Sequence, residues 1–587
     1  MQRHLKPAAV AAIALFAAFA QVETFAQQAP AAAAALPSQA GGLIVKYRDS
    51  HRSPVAVAAS VQGATAAAAA RGMKVQLERE NAMGARVLRF DRVLDAAEVE
   101  QLARDLKNSD ADIEYVEPDY VAHSHYTPND PLFANQWHYT NAIGGINLPD
   151  ALDITDGGSV RVAVLDTGIR PHADLAANIL PGYDFITNTT TSNDGNGRDS
   201  NASDPGDWTT MGLCTSGVVR DSSWHGTHVA GTVAAQGNNA LGVSGVAPGA
   251  KIVPVRVLGR CGGFSSDIAD GIVWAAGGVV VGAPMNANKA QVINMSLGGQ
   301  QPCTATYQAA ITKARNLGAI VVVSAGNSNL NISGFQPASC VGVLPVAATN
   351  MGGGKATYSN FGGGVFIASP GGDDFEPGVV STSNTGKTTP VMDSYRSMQG
   401  TSMAAPHVSG VAALMVSANS LLPINMVSQL MKETARAFPG SCVGCGAGIV
   451  DAEAAVRAAY AYRPENEPNN TMGTQQFLPV IPADVYGSIN EANGADNDHY
   501  LMALPAGSTL TATLDNRSAL DMNLYFYNSN SGQVLGSSAK AGAGGDEKIT
   551  YVNTSGKQMW ITLRILRGVS TPAQPAAQPY KLMVRRT

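Results

Sequence analysis

The sequence predicts an α/β protein whose main domain is a doubly wound parallel sheet. Between residues 127 and 462, short apolar runs suited to buried strands alternate with helical patterns, an order typical of parallel sheets. The runs are Arg161 to Leu165, Lys251 to Leu258, Gln291 to Met295 and Ala319 to Val323. Because ligands and catalytic groups gather at the carboxyl ends of such strands, we expect the chemistry in the polar residues that follow them.

Length and composition indicate a folded protein of several domains. The chain has 587 residues, of which 45% are hydrophobic and only 14% are charged. Its net charge is -6, from 39 Lys and Arg against 45 Asp and Glu, and no basic block could follow a phosphate backbone. We therefore expect no nucleic-acid partner.

The N-terminus has the layout of a secretory signal peptide. Arg3 and Lys6 precede an apolar run over residues 8–20, and small residues suited to cleavage lie near Ala20 and Ala26. The alternative, a membrane anchor, is disfavoured because the run is shorter than the roughly 18 residues that a spanning helix needs. We expect a secreted protein with no membrane attachment after cleavage.

Two changes in pattern predict the domain boundaries. Residues 41–122 carry a small αβ pattern, and the turn-rich segment 124–135 separates it from the main domain. After residue 461 the polar linker RPENEPNN leads into alternating short strands, which predict an all-β sandwich. The predicted units are a signal peptide at 1–26, an αβ unit at 27–123, the main domain at 124–462, and a linker with sandwich at 463–587.

Two polar motifs follow or open the predicted elements of the main domain. Asp166 ends the run VRVAVL and precedes a Thr-Gly turn; the simpler alternative is that it only caps this turn. In HGTHVAGTVAA, His225 and His228 lie on one face of a helix. A zinc pair is a further alternative, but the glutamate of the zincin pattern and a third ligand are missing.

The third motif, GTSMAAPHVSG, places Ser402 at the start of an apolar helix. Its hydroxyl would lie at the positive end of the helix dipole, although a helix N-cap is the simpler interpretation of one serine. A serine becomes a nucleophile when an imidazole removes its proton and a carboxylate stabilises the imidazolium. Asp166, His225 and Ser402 supply these three groups, so together they predict nucleophilic catalysis.

The segments VAVLDTG, HGTHVAGT and GTSMAAPHVSG resemble the three signature blocks of the subtilisin-like serine proteases. The resemblance covers about residues 127–462, and the order Asp, His, Ser is also that of subtilisin. It implies a subtilisin-like fold and a monomeric serine endopeptidase that cleaves proteins and peptides through an acyl-enzyme. It also implies that His225, rather than His228, is the base.

The resemblance extends to the residues that would bind substrate. Asn327, at the end of VVVSAGN, resembles the asparagine that donates to the oxyanion; an asparagine in a left-handed turn is the alternative. The segment NMSLGG resembles the edge on which an extended peptide adds a strand. The residues expected to flank the S1 pocket are Ser296, Leu297, Gly298, Ser324, Ala325 and Gly326.

Structural calcium is the expected cofactor, at two sites. By resemblance, one site takes carboxylates from Asp130 and Asp174, the amide oxygen of Asn239, and the carbonyls of Gly237, Leu241 and Val243. The second candidate is the loop NDGNGRDSNASDPGD, whose carboxylates would repel one another without a cation. The four acidic residues expected to converge there are Asp194, Asp199, Asp204 and Asp207.

Six cysteines beyond the signal peptide predict disulfides in an oxidising compartment, and fifteen pairings are possible on sequence alone. We expect a Cys303–Cys340 bridge, because Cys303 follows NMSLGG and Cys340 lies beyond Asn327, so that both flank the expected specificity pocket. We expect Cys214–Cys261 and Cys442–Cys445 to accompany it. A redox role for the CVGC segment is disfavoured because it does not open a helix in a thioredoxin-like βαβ unit.

The flanking segments resemble parts of secreted protease precursors. Residues 41–122 resemble the subtilase inhibitory propeptide, so this segment is expected to be an intramolecular inhibitor of its own enzyme. Its tail IEYVEPDYVAH would lie in the active-site cleft until autoprocessing near His123 or Ser124. From about Glu465 onward the chain resembles the β-sandwich appended to many secreted bacterial peptidases.

Overall fold

The computed structural model describes residues 39–48, 75–95, 99, 102–104, 106–107, 110, 112–120, 127–214, 217–465, 469–471, 474–478, 483–489, 497–518, 520–539, 545–567 and 578–586. The expected signal peptide, the Ala-rich segment before residue 75 and the expected cleavage region at His123 and Ser124 lie outside them. Among the helices in these ranges, none combines the length and apolar character needed to cross a membrane.

The N-terminal part is a four-stranded antiparallel sheet in the order β2-β3-β1-β4. Its strands are β1 (Gln39–Tyr47), β2 (Val75–Glu80), β3 (Arg86–Asp95) and β4 (Ile113–Tyr120). Leu43 and Leu88 pack with Leu102 in a core of their own, as the alternation of apolar residues along β1 and β3 requires. This small core is separate from that of the main domain.

The main domain is built on a seven-stranded sheet whose hydrogen-bonded pairs all run parallel, in the order β11-β10-β9-β8-β5-β7-β6. Its strands are β5 (Arg161–Asp166), β6 (Tyr183–Asp184), β7 (Lys251–Arg256), β8 (Val292–Met295), β9 (Ile320–Ser324), β10 (Leu344–Thr349) and β11 (Ile367–Pro370). The predicted doubly wound α/β fold is confirmed.

Helices cover both faces of this sheet, which explains why its strands are apolar throughout. In β5, Val162 and Val164 enter one core, while Ala163 and Leu165 enter the other. The helices are α1 (Trp137–Thr140), α2 (Leu148–Leu152), α3 (Thr189–Ser192), α4 (His225–Ala234), α5 (Ser265–Ala275), α6 (Ala305–Asn316), α7 (Thr401–Ala418), α8 (Ile424–Glu433) and α9 (Ala452–Ala461). Helices α4 and α7 lie on the first face, and α5 and α6 on the second.

A two-stranded hairpin, β12 (Val379–Asn384) with β13 (Asp393–Met398), packs on α4. Ser381 donates a hydrogen bond of 2.8 Å to the carbonyl of His228, and Thr382 donates one of the same length to the carbonyl of Thr227. These bonds occupy two carbonyls in the first half of α4. They hold the helix that begins with His225 in a fixed position.

The C-terminal part consists of two five-stranded sheets, ordered β14-β16-β23-β18-β21 and β15-β17-β22-β19-β20. The strands are β14 (Tyr462–Pro464), β15 (Gln476–Phe477), β16 (Ala483–Ile489), β17 (Asp498–Leu504), β18 (Thr509–Asn516), β19 (Met522–Asn528), β20 (Val534–Ser538), β21 (Glu547–Val552), β22 (Met559–Arg567) and β23 (Gln578–Arg586). Strand β18 alternates buried and half-buried residues, with Leu510, Ala512 and Leu514 in the shared core. The predicted all-β C-terminal part is confirmed.

Three buried histidines of the main domain pack between α1, α4 and α7. The ring of His407 accepts a hydrogen bond of 2.7 Å from His138, and its other nitrogen donates to the carbonyl of Met403 at 2.8 Å. His228 donates to the carbonyls of Val379 and Arg396. Burial lowers the pKa of His407 to about 4 and that of His228 to about 3, so both rings are neutral in the folded protein.

This burial predicts a measurable contribution to acid sensitivity. Between the folded pKa of about 4 and the unfolded value of 6.5, the unfolded chain binds the proton of His407 and the native chain does not. The residue therefore lowers the free energy of unfolding as pH falls through this window, by about 1.4 kcal/mol per pH unit. We expect the free energy of unfolding of His407→Gln, measured in urea titrations at pH 6.5, 5.8 and 5.0, to fall less steeply with decreasing pH than that of the parent. The difference in slope should be about 1.4 kcal/mol per pH unit. Equal slopes in parent and variant would contradict this.

Candidate active site

The turn after β5 and the start of α4 bring a carboxylate and an imidazole into contact. Asp166 is the last residue of β5 and His225 is the first of α4, and Asp166 Oδ1 lies 2.7 Å from His225 Nδ1. The Asp166 side chain is 1% exposed and that of His225 is 19% exposed. The second ring nitrogen of His225 therefore remains available while the first is held.

The carboxylates around His225 stabilise its protonated ring, whereas burial alone would destabilise it. Burial by itself lowers the pKa of His225, but the charge of Asp166 and its hydrogen bond, with smaller contributions from Asp207 and Asp204, raise it overall. A ring oriented and stabilised in this way can accept a proton from a neighbouring hydroxyl. His228 is fully buried and bonded to backbone carbonyls, so it is not placed for this task.

Ser402, the second residue of α7, exchanges hydrogen bonds with Ser296 of the NMSLGG segment. Ser402 Oγ donates to the carbonyl of Ser296 at 3.2 Å, and Ser296 Oγ donates to the carbonyl of Ser402 at 2.7 Å. The carbonyl of Ser402 is free for this bond because Pro406, four residues on, has no N–H. Two residues far apart in sequence thus hold the start of α7 against the carboxyl end of β8.

The structure does not place all three predicted groups in one hydrogen-bonded chain. Asp166 and His225 are bonded, but no hydrogen bond among the described residues joins His225 to Ser402. The reason is that a hydroxyl has one proton, and that of Ser402 points to Ser296. Ser296 lines both the hollow beside His225 and the hollow beside Ser402, so the two hollows adjoin at this residue.

Asn327 follows β9 and is oriented by the start of α7. Its Oδ1 accepts from the backbone N–H of Thr401 at 2.9 Å and from the Thr401 hydroxyl at 2.7 Å. Both donor hydrogens of its amide nitrogen remain without an acceptor in the described part of the chain. Gly400 has φ of 148°, and a Cβ there would lie 3.4 Å from that nitrogen, so glycine leaves the space open.

The hollow beside Ser402 and Asn327 has a volume of about 340 Å³ and is lined by uncharged residues. All six residues expected at the S1 pocket line it. Further lining residues, which were not predicted from the sequence, are Gly299, Gln300, Ser328, Phe335, Gln336, Ala338 and Thr401. The wall from Phe335 to Ala338 belongs to a loop, held by reciprocal backbone hydrogen bonds between Gly299 and Gln336. Nothing in the local pattern of that loop signals its partner.

A second hollow of about 520 Å³ lies beside His225. One wall comes from residues Leu258 to Gly262, and the other from a long segment between β6 and α4 that includes Asp207, Thr209 and Arg220. The Cys214–Cys261 disulfide joins the two walls. This hollow is therefore bordered by a segment for which the sequence predicted a calcium loop up to Asp207 and the Cys214–Cys261 bridge, but no place beside His225.

The first expected calcium region does bring its residues together. Asp174 is fully buried and Asp130 nearly so, and both accept backbone hydrogen bonds from the loop 237–243. The carbonyls of Gly237, Leu241 and Val243 accept no hydrogen bond from the residues described. Burial raises the pKa of Asp174, against hydrogen bonds from Val243 and Asn239. Two buried carboxylates beside three unused carbonyls are a donor set that fits Ca²⁺.

One detail of this region differs from the expectation. Asn239 donates from its amide nitrogen to Asp174 at 2.7 Å, and its amide oxygen accepts from the N–H of Leu241 at 2.8 Å. The amide nitrogen, not the oxygen, therefore faces the carboxylate. A 180° turn of the amide would present the oxygen to a cation.

The four aspartates of the second expected calcium site do not converge, so that prediction is wrong. Asp194 pairs with Arg256, Asp199 accepts from Asn196, Asp204 accepts from Thr167, and Asp207 accepts twice from Ser223. No group of three or more His, Cys, Asp or Glu side chains in the described ranges is arranged to hold a metal. Arginine, hydroxyl and amide donors satisfy the charges that were expected to need a cation.

Three disulfides connect the cysteines, and the described residues contain no free cysteine. The bridges are Cys214–Cys261, Cys303–Cys340 and Cys442–Cys445. The second ties the segment after NMSLGG to the loop that carries Phe335 and Gln336. It therefore supports the wall of the hollow beside Ser402.

A family profile and two named relatives indicate the same protein family. A family profile described as the subtilase family matches residues 157–472. The chain is 49% identical over 478 residues to "Extracellular protease" of Xanthomonas campestris, covering 80% of each chain. It is 42% identical to "Extracellular basic protease" of Dichelobacter nodosus over 455 residues, 73% of each chain.

A solved structure of a protease from Pseudoalteromonas arctica is also similar. It shares 56% sequence identity and aligns with a TM-score of 0.56, over 57% of this chain and 100% of that one. "Subtilisin Savinase" of Lederbergia lenta is 37% identical over 302 residues, 51% of this chain and 92% of its own.

Proposed function

Because the chain belongs to the subtilase family of serine proteases, we propose that it is a secreted endopeptidase that acts through Asp166, His225 and Ser402. The observation that carries the proposal is the 2.7 Å bond between Asp166 and His225, beside a hollow that shares Ser296 with the hollow next to Ser402. Secretion is supported by the N-terminal signal layout and by two relatives that are named extracellular proteases.

In the proposed reaction, Ser402 Oγ attacks the carbonyl carbon of the scissile peptide bond. Its proton passes to His225 Nε2, and the imidazolium is stabilised by Asp166. The proton then goes to the leaving amine, which departs and leaves an acyl-enzyme that water hydrolyses by the same steps. For the first step, the Ser402 hydroxyl must leave the Ser296 carbonyl and donate to His225 instead.

The negative oxygen that develops in this step would be held by two donors. One is the amide nitrogen of Asn327, whose oxygen is already used by Thr401. The other is the backbone N–H of Ser402, in the first turn of α7, where helical N–H groups have no partner within the helix. The uncharged hollow beside them would accept uncharged P1 side chains, while the segment Ser296 to Gly298 pairs with the extended peptide.

A fluorophosphonate probe tests this proposal because it labels only serines that an adjacent base activates. We expect stoichiometric labelling, mapped by peptide mass spectrometry to Ser402, and at least a hundredfold slower labelling of His225→Ala. Ser428→Ala, at a half-buried serine of α8 whose hydroxyl donates to the carbonyl of Asn425, is the matched control and should label normally. Labelling at another serine, or none in the processed protein, would refute the assignment.

The N-terminal sheet is proposed to be an inhibitory propeptide that the enzyme itself removes. In support, β4 ends at Tyr120, close to the predicted cleavage at His123 or Ser124. A chain that carries its own inhibitor reaches the outside of the cell before its protease is active. Sequencing the N-terminus of the secreted protein tests the position of the cut.

Calcium is proposed to stabilise the enzyme at the 237–243 loop. We expect EDTA to lower the melting temperature of Ser402→Ala, which cannot digest itself, by about 5–10 °C, as loss of a tightly bound ion would. Asp174→Asn should melt at the lower temperature with or without EDTA, whereas Asp199→Asn should keep the response. Identical melting curves with EDTA and with added Ca²⁺ would remove the assignment.

A further inference from the structure

A second buried carboxylate, that of Asp204, lies near the Asp166–His225 pair. Asp204 belongs to the segment between β6 and α4 and is 1% exposed. Its Oδ2 accepts a hydrogen bond of 2.7 Å from the Thr167 hydroxyl, and its Oδ1 accepts one of 2.8 Å from the N–H of Gly206. Arg170 donates to its backbone carbonyl at 3.0 Å. The carboxylate is thus held rigidly although the chain here forms neither strand nor helix.

Thr167 connects Asp204 to both members of the pair. Its backbone N–H donates to Asp166 Oδ1 at 2.8 Å. Its hydroxyl oxygen accepts from the N–H of Gly226 at 3.0 Å, next to His225 in the first turn of α4. Through one threonine, Asp204 therefore joins the turn that carries Asp166 to the helix that carries His225.

The direction of the Thr167 hydroxyl has a consequence for Asp166. Because that hydroxyl gives its only proton to Asp204, it cannot also donate to Asp166. Asp166 Oδ2 is buried and has no hydrogen-bond partner in the described part of the molecule. A carboxylate with fewer donors is a stronger partner for an imidazolium, since donors to its ionised form would disperse its charge.

The charges around the pair agree with this arrangement. His225 is faced by Asp166, Asp207 and Asp204, all of which raise its pKa against burial, and His228 lies on the same helix. Asp204 is faced by Asp207 and by the guanidinium groups of Arg256 and Arg170. Burial raises the pKa of Asp204 to about 7, so the carboxylate is ionised at mildly alkaline pH, where it stabilises positive charge on His225.

We propose that Asp204 is a positioning residue for proteolysis. It holds the Asp166 turn against the start of α4 through Thr167, keeps the Thr167 hydroxyl away from Asp166, and adds its negative charge behind the imidazole of His225. This role rests on the proposed function. It also explains why the acidic segment needs no cation at Asp204, which instead takes its partners from Thr167 and Gly206.

The test is the pH dependence of peptide hydrolysis by Asp204→Asn. Asparagine keeps one oxygen that can accept from Thr167 but has no charge, so the imidazolium is less stable. We expect the acid limb of kcat/KM to move to lower pH, by less than in Asp166→Asn, because Asp204 gains a proton near pH 7 and its charge is the smallest of those that act on His225. We also expect kcat to fall about tenfold with KM changed less than about twofold. Asp199→Asn removes an equal charge from the same segment and should match the parent.

Two variants of Thr167 separate positioning from folding, including the case in which Asp204→Asn is insoluble. Thr167→Val should lower kcat about tenfold, and Thr167→Ser, which keeps the hydroxyl, should restore it to within about twofold. The proposal is overturned if Asp204→Asn superimposes on the parent profile, or if Thr167→Val retains full kcat. If Ser402→Ala remains active, the proposed function is wrong. If Ser402→Ala is inactive, the results for the Asp204 and Thr167 variants test only the role of Asp204.

Discussion

Ser402→Ala is expected to lower kcat for a protein substrate by on the order of 10⁶-fold, because no other group could form the acyl-enzyme. Residual turnover would come from binding and from the donors to the oxyanion, which the substitution leaves in place. The measurement is casein hydrolysis by the purified variant over hours. The variant should fold normally, because the side chain makes one hydrogen bond of 3.2 Å and borders an open hollow.

The same variant reports on maturation. If cleavage of the propeptide is autocatalytic, Ser402→Ala should accumulate as the precursor, and added active enzyme should process it in trans. Ser428→Ala serves as the control for expression and processing. Casein hydrolysis at the parent rate would end the proposal that Ser402 is the nucleophile.

Asp166→Asn is expected to lower kcat by about 10⁴-fold while KM stays nearly constant. An asparagine can occupy the same space, but it lacks the charge that stabilises the imidazolium and no longer fixes the tautomer with the proton on Nδ1. Because Asp166 raises the pKa of His225, its loss lowers that pKa, and the remaining activity should extend to lower pH. Steady-state kinetics from pH 5 to pH 9 measure both effects.

The matched control for this substitution is Asp156→Asn, in an exposed turn where the side chain accepts from Gly158. It changes the net charge equally and should leave kcat and its pH profile unchanged. A loss of less than tenfold for Asp166→Asn would contradict the proposed role, because a carboxylate bonded at 2.7 Å to the base is the main source of its stabilisation.

Sequence reasoning reached the fold and the positions of Asp166 and His225 on their elements because these rest on local signals, whereas the choice of His225 over His228 came from the resemblance to subtilisin-like proteases. Apolar runs that alternate with helical patterns predict a parallel sheet, and the turn after such a strand is where Asp166 lies. The small residues after His225 predict its helix, and the buried strand ending at Ser324 leads directly to Asn327. These features depend on residues that are neighbours in the chain.

The acidic segment NDGNGRDSNASDPGD shows what a local sequence pattern cannot predict. Four aspartates spaced through a Gly- and Asn-rich loop have a composition typical of calcium binding, yet each side chain finds a separate donor. The donors for Asp194 and Asp204 come from β7 and from the turn after β5. A spacing pattern contains no information about such partners.

By itself, the sequence determined the doubly wound sheet, the all-β C-terminal part and the groups that offer nucleophilic chemistry. Only the tertiary structure decided which donors satisfy Asp204, that the Ser402 hydroxyl rests on Ser296, and that the loop from Phe335 to Ala338 closes the hollow beside it. The physical reason is the distance along the chain over which each kind of interaction acts. Periodic burial and turn chemistry act between near neighbours, whereas hydrogen-bond partners are chosen among groups that meet only after the chain has folded.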